Sequence, residues 1–277
     1  MPYDFNIFHY GDVHDGSILS SKHGWAVFVD ALNSEYDGCK NNYAIEGGDP
    51  VEAITVDDPR FSPETLDEPL PLEQLKYAVQ KREPIKERLL VELQGNHDRK
   101  LWRFGNIAKE IADQLGCQYG TYTCKISFTD KKDRLMFKLY ETHGSKSITS
   151  SADDKTRRIS NMKLSLKRNL KFKAGDCAVM VKHHAHKLIV CEPEPELYLT
   201  DNGKQIKQNY TSFGQNESYI PPDMRWYGCA GAFLTLFGQG ISGYAEVAEY
   251  DPVELGWLVT SVRNKKIVSV KPYYLKI

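Results

Sequence analysis

Five short clusters of oxygen- and nitrogen-bearing side chains stand along the first two-thirds of the chain. They read Gly11-Asp12-Val13-His14, Gly47-Gly48-Asp49, Gly95-Asn96-His97-Asp98, Thr142-His143-Gly144 and His183-His184-Ala185-His186, and they contain six of the eight histidines. Carboxylate, amide and imidazole donors without a thiolate suit divalent manganese, iron, zinc or nickel. Two such ions about 3.5–4 Å apart can clamp the attacking and departing oxygens of a phosphoryl transfer. A pair of that kind needs a bridging carboxylate, further oxygen donors and neutral imidazoles. The adjoining glycines let the backbone turn tightly and approach the ions. A single histidine is more often packed or solvated than ligating. Five clusters in series carry far more information.

Each cluster closes an apolar run: residues 5–10, 43–46, 89–93, 135–140 and 178–181. Such lengths suit buried strands, and the carboxyl ends of strands in an open α/β sheet form a ligand-binding crevice. Between the runs, residues 25–32, 72–80 and 100–115 read as helices. The last shows Leu101, Phe104, Ala108, Ile111 and Leu115 at helical steps, with Gly116 as a stop. Beyond Lys187, residues 188–191, 197–200, 226–237, 244–249 and 267–270 read as strands, with Asn202-Gly203 as a hairpin signal. Residues 62–71 read as a surface loop. One mixed α/β domain over residues 1–277 is expected, with the motifs in 5–190 and a strand-rich part in 191–277.

Composition narrows the class. The 277 residues are 41% hydrophobic and 26% charged, which excludes general disorder. A net charge of −1 excludes a uniformly basic coat for nucleic acid. The first residues lack the basic-then-apolar pattern of a secretory signal. Residues 226–245 carry no charge but contain five glycines, and their apolar part is half the about 20 residues that a membrane helix needs. No membrane partner is expected. Six cysteines without a Cys-x-x-Cys pair suggest reduced thiols and a cytoplasmic location.

The series Gly-Asp-x-His, Gly-Gly-Asp, Gly-Asn-His-Asp, His and x-His-x-His resembles the calcineurin-like metallophosphoesterase superfamily over residues 5–190. The resemblance implies two mixed β-sheets packed as a sandwich flanked by helices, a four-layer α/β/β/α fold with two divalent metal ions. By motif, Asp12, His14 and His186 would hold one ion, Asn96, His143 and His184 the other, and Asp49 both. His97 would be the leaving-group acid and Asp98 would orient it. His183 stands where the family has glycine, an additional imidazole expected beside the ligands. Gly48-Asp49-Pro50-Val51-Glu52 lacks the Asp-Arg-Gly extension of the Ser/Thr protein phosphatases, which disfavours a phosphoprotein substrate.

The leading expectation is a metal-dependent phosphodiesterase acting on nucleic acid, DNA or RNA, or on a nucleotide, through in-line attack by a hydroxide held by both ions. The alternatives are a phosphomonoesterase or nucleotide pyrophosphatase acting on a small molecule, and an inactive scaffold. The scaffold is disfavoured because every motif position is filled. Asn96 is expected to stabilise the phosphoryl oxygens together with the metals, and Arg99 could contact substrate phosphate. Residues 155–173 carry eight basic side chains and no acid, Arg157 and Arg158 among them. With Ile159, Met162, Leu166 and Leu170 on one face, this run is either a solvated helix or a track for a phosphate backbone. Asp15 is either a partner of a ligand or a loop acid in solvent, His9 a packed core histidine, and His23 a surface residue.

Overall fold

The structure, a computed structural model, describes residues 1–276. Its strands and helices follow from side chains that alternate between two apolar environments. On β1 (Phe5–Tyr10), Phe5 and Ile7 point one way, and Phe8 and Tyr10 the other; all are buried. The second pair packs on three helices: α1 (Lys22–Asn33), α2 (Pro71–Arg82) and, further along the chain, residues 107–115. Phe28, Leu32, Leu75, Ala78, Ile111 and Leu115 meet them there. Ser21 starts α1 by accepting the Gly24 N–H at 3.0 Å, a polar side chain satisfying a helix-end donor.

β1 pairs in parallel with β2 (Asn42–Glu46), which pairs with β3 (Leu89–Glu92). A short helix α3 (Asn96–Arg99), then α4 (Ile107–Leu115), lead to the edge strand β4 (Gln118–Tyr119). A second sheet is built from β5 (Thr123–Thr129), β6 (Leu135–Thr142), β7 (Val179–Lys182), β8 (Ile189–Cys191) and β11 (Trp226–Cys229), in the order β5-β6-β7-β11-β8. Its core strands β6, β7 and β11 are parallel, and its outer strands β5 and β8 antiparallel. Between β6 and β7 runs α5 (Lys155–Leu170), whose Leu166 and Leu170 pack on Met180 and Tyr227. A two-stranded ribbon, β9 (Leu197–Asp201) with β10 (Ile206–Tyr210), projects from the body around the Asn202-Gly203 turn. After the short helix α6 (Tyr244–Val247), β12 (Gly256–Arg263) and β13 (Lys266–Tyr274) complete the first sheet in the order β13-β12-β1-β2-β3-β4.

Both sheets are therefore mixed. Phe5, Ile7 and Ile45 from the first share one apolar cluster with Phe137, Leu139, Val179 and Val181 from the second. Phe128 and Phe137 stack at 4.8 Å between centroids, and Phe5 stacks on both. Among the described residues no helix is long and apolar enough to cross a membrane, and all six cysteines are free thiols.

Several sequence expectations are corrected. Residues 100–115 do not form one helix: a 3₁₀ turn over Lys100–Phe104 ends at Gly105, whose φ of +118° breaks the path, and Asn106 caps α4 anew. The strand expected over 226–237 stops at Cys229, because the next amides leave the sheet: Ala232 bonds the Glu254 carbonyl and Phe233 that of Asp12. Residues 244–249 hold α6, with the Glu246 and Val247 amides turned back to the carbonyl of Gly243. The strands β5 and β12 were not expected, yet β12 lies inside the first sheet between β1 and β13.

One buried charge cluster fastens the first sheet to α2. Arg82 is fully buried and bonds Glu46 at the end of β2 (Nε to Oε2, 2.6 Å) and Asp15 (2.6 Å). Lys81 adds a second cation to Asp15 at 2.5 Å. Asp15 is thus neither a solvated loop acid nor a partner of a ligand side chain, because two cations from α2 hold it in the interior. Burial and the neighbouring Glu46 push Glu92 well above the usual carboxylate range. Replacing Arg82 with Met should lower unfolding free energy by about 3–5 kcal/mol, since Glu46 would stay buried without its cation and Asp15 would keep only Lys81. Urea denaturation followed by circular dichroism measures this, and a change within experimental scatter would contradict the role given to Arg82.

Candidate metal centre

The five motif loops leave the carboxyl ends of β1, β2, β3, β6 and β7, and backbone hydrogen bonds zip the first two together. Asp12 N–H donates to the Gly48 carbonyl at 2.9 Å, and the Val13 and His14 amides donate to the Asp49 carbonyl at 3.1 Å. Asp12, His14, Asp49, His184 and His186 all hold left-handed backbone, with φ between +50° and +69°. Side chains other than glycine rarely adopt such angles, and where the fold imposes them they cluster at functional sites.

Three groups of candidate donors result. Atoms of Asp12, His14 and His186 lie within 4.8 Å of one another, as do those of Asp49, His143 and His184, and those of His14, Asp49 and His97. His186 Nε2 is 3.1 Å from Asp12 Oδ1, and the His184 N–H donates to Asp12 Oδ2 at 3.1 Å. Asn96 Oδ1 joins the second set, 3.0 Å from His143 Nε2. Asp49 stands between the sets: its Oδ2 is 3.3 Å from His143 Nε2 and 4.0 Å from His14 Nε2. All seven residues that the motifs assign to metal are therefore gathered around one buried carboxylate.

Hydrogen bonds set the imidazoles. His143 Nδ1 faces the Gly47 carbonyl at 2.9 Å, and a carbonyl can only accept, so the proton lies on Nδ1 and Nε2 is aimed at Asp49. Both ring nitrogens of His14 are buried without a hydrogen bond, although Nδ1 lies 2.8 Å from Glu52 Oε2. With Nδ1 against Glu52, it is Nε2, buried without a hydrogen bond and 4.0 Å from Asp49 Oδ2, that suits a cation. Burial opposes charge on His143, but the Asp49 carboxylate outweighs it and lifts the ring to about 9. Burial and the neighbouring His143 hold His184 down at about 4. For His14, burial is outweighed by Glu52, which raises the ring above its ordinary value. Burial alone would raise Asp49, yet the surrounding imidazoles hold its carboxyl well below the usual range.

His97 sits at the mouth of the site, and its orientation differs from expectation. Its Nδ1 donates to the Glu52 carbonyl at 2.6 Å, leaving Nε2 toward the cleft, 3.4 Å from Arg60 Nη1. Asp98 does not orient the ring. As the third residue of α3's first turn, it folds back to accept the Gly95 N–H at 2.7 Å, a capping contact. Burial and repulsion from Asp49 push Asp98 well above the carboxylate range.

The cleft over these residues measures about 610 Å³. Arg60 and Lys187 supply its cations, and Ser147, Thr149 and Tyr250 its neutral polar groups. Arg99, Arg157 and Arg158, expected at the substrate, do not line it. The Arg99 guanidinium stacks over Trp102 at 5.0 Å, Arg157 is exposed on α5, and Arg158 bonds the Ala152 and Asp153 carbonyls. Arg60 was missed because it lies outside every motif and every element read from the sequence. Glu52 stood in the quoted second motif without an assigned role.

His183 lies behind the ligands. Its Nε2 meets Glu141 Oε1 at 2.8 Å, while the other oxygen of Glu141 meets His9 Nδ1 at 2.8 Å, and His9 Nε2 meets the Thr260 hydroxyl at 2.9 Å. His9 is therefore the packed core histidine expected, with polar partners on both nitrogens, and His23 is exposed. The His183 ring fills the space above Gly47, where a Cβ would overlap it.

No protein-family model matches the chain, and no curated protein matches it either.

A Cβ on Gly95 would overlap the Asp49 carboxylate, although the φ of −102° at that position suits any residue. The Gly95→Ala protein should keep the circular dichroism spectrum of the parent and bind Mn²⁺ more weakly by about tenfold or more, because the carboxylate shared by both sets must move. Equilibrium dialysis measures the binding, and unaltered affinity would show that Asp49 is not constrained by this contact.

Proposed function

We propose that the chain is a dinuclear metal-dependent phosphoesterase of the calcineurin-like metallophosphoesterase type, acting as a phosphodiesterase on nucleic acid or a nucleotide. The observation that carries this reading is the gathering of Asp12, His14, Asn96, His143, His184 and His186 around Asp49, five of these seven residues in left-handed backbone. Two mixed sheets sharing one apolar cluster, with helices packed outside each, support the four-layer α/β/β/α arrangement of that superfamily.

Asp12, His14 and His186 would hold one divalent ion, Asn96, His143 and His184 a second, and Asp49 both, with manganese best suited. When bound, the ions supply Lewis-acid charge and lower the pKa of water. The chain's own residues do the rest. Held through Nδ1 on the Glu52 carbonyl, His97 would give a proton from Nε2 to the departing oxygen only as the imidazolium, a form that burial disfavours and the Asp49 and Glu52 carboxylates favour. Arg60, braced by Asp58 through Nε at 3.0 Å and Nη2 at 2.8 Å, offers a planar guanidinium beside that position, suited to a phosphoryl oxygen. A cleft of about 610 Å³ has room for groups on both sides of a phosphodiester, within the about 300–1,000 Å³ of small-molecule sites.

Hydrolysis of bis-p-nitrophenyl phosphate should require added Mn²⁺, stop with chelator, and be lost in Asp49→Asn. Full turnover by the chelated protein would overturn the metal assignment.

His97→Ala should retain its metal content yet lose about 10²–10⁴-fold in kcat, the usual contribution of general acid catalysis. The loss should be larger for a diester with an alkoxide leaving group than for nitrophenolate. Equal losses on both substrates would give His97 a positioning role instead.

A further inference from the structure

We propose that the chain carries a second anion site, separate from the metal cleft, which takes a single phosphate group on Lys182, Lys146 and Lys173. The site is a cavity of about 180 Å³ between the end of β7, the loop after His143 and the end of α5. Lys182 forms its floor. The alternation of β7 turns Val179 and Val181 to the cluster between the sheets, and Met180 to the side of α5. Lys182 follows Met180 to that side and is only 2% exposed.

Its ammonium donates to the Lys146 carbonyl, which accounts for one of three N–H groups. Among the described residues no carboxylate lies within ion-pair distance of Lys182, Lys146 or Lys173, and no Asp or Glu lines the cavity. The contrast with Lys81 is direct, since that buried lysine has Asp15 at 2.5 Å. A buried lysine without a carboxylate partner either gives up its proton or takes an anion, because an isolated buried charge is expensive to desolvate.

A second donor points the same way. Asn169, in the last turn of α5, lines the cavity with its Nδ2 buried and without a hydrogen-bond acceptor. Thr142 and Ser145 add hydroxyls at the wall. The lining is thus three cations, a spare amide donor and hydroxyls around a space that lacks an acceptor of negative charge. Such a donor set fits a tetrahedral oxyanion. The volume sets its size: a liquid water occupies about 30 Å³, so a phosphate group and a few waters fill the cavity. A nucleoside attached to that phosphate would stay outside, since sites for whole small molecules run from about 300 Å³ upward.

The loop after His143 serves both spaces. Gly144, Ser145 and Lys146 line the lysine cavity, and Ser147, Ile148 and Thr149 line the metal cleft. The phosphate is either inorganic phosphate or the terminal phosphate of a polynucleotide. The site does not depend on the metals, so its test is independent of the phosphoesterase reading.

The full-length protein is titrated calorimetrically with inorganic phosphate at low salt, with and without chelator. One phosphate should bind in the presence of chelator, about tenfold or more weaker in Lys182→Met, as expected for losing one charge-assisted hydrogen bond. The rim variant Lys173→Met, on an exposed residue, should weaken it too if Lys182→Met fails to fold, whereas Asp49→Asn should leave it unchanged. Binding that survives both lysine changes, or that falls only in Asp49→Asn, overturns the site, as does the absence of binding. Oligonucleotides with a 5′-phosphate or a 5′-hydroxyl then separate the sources. Preference for the phosphorylated end that vanishes in Lys173→Met assigns a polynucleotide terminus, and equal binding assigns free phosphate.

Discussion

One carboxylate held away from water organises the site. Asp49 lies at the meeting point of the loops, its side chain accepting the His97 N–H at 2.7 Å and facing His143 and His14. Its backbone carbonyl takes the Val13 and His14 amides. A lone buried carboxylate would be far too costly to ionise. Here the surrounding imidazoles, His143 foremost, hold its pKa down, so the charge persists in the interior. The rest of the motif residues are arranged to serve that charge, which is why glycine is required at 95, where any Cβ would overlap it.

Keeping the charge there demands rigid supports, and the fold provides them at two depths. Under the first sheet, Arg82 from α2 is clamped between Glu46 and Asp15, which flank the first two motif loops in sequence. Between the sheets, Glu141 joins His183 to His9 and through it to Thr260 on β12. The second sheet is thereby registered on the first by polar contacts as well as by the phenylalanine stack. Apolar packing alone is non-directional. A chain of hydrogen bonds across the interface fixes which residues face each other. Left-handed backbone costs roughly 1–3 kcal/mol at each non-glycine position, so five such residues in one site are tolerable only on a frame that cannot relax.

The donor residues were legible in the sequence because each follows a strand, and strand ends in parallel sheets open onto one edge. Oxygen and imidazole donors at the ends of β1, β2, β3, β6 and β7 are a local signal. The supports were not legible for the opposite reason. Glu141, His9 and His183 lie far apart in sequence, and nothing in periodicity pairs them. Arg82 ends a helix as any surface arginine might, and only the fold shows it to be fully buried. The role given to Asp98 failed on a geometrical detail: a carboxylate at the third position of a short helix bonds its own first turn, so the Glu52 carbonyl takes the His97 ring. β12 was missed because Gly-Trp-Leu-Val-Thr-Ser-Val-Arg is buried almost throughout and lacks the alternation of a half-exposed strand. The single helix expected over 100–115 failed because its apolar steps continue through Gly105 while the backbone does not.

Charge is distributed unevenly across the second sheet, and the unevenness has a structural origin. Along the outer face, α5 packs only a narrow stripe on the sheet through Leu166 and Leu170, while Ile159 and Leu164 remain exposed. A helix with so narrow a buried stripe leaves most of its circumference to basic residues, which can cover apolar surface with their stems. On the cleft side, the cations are few and individually braced, as Arg60 is by Asp58. A mobile surface lysine attracts any anion within a Debye length. A guanidinium fixed beside an imidazole selects for a group of matching shape in one position. The basic residues on the solvent face of α5 and the one arginine at the cleft therefore do different physical work, and counting charges along the sequence cannot separate them.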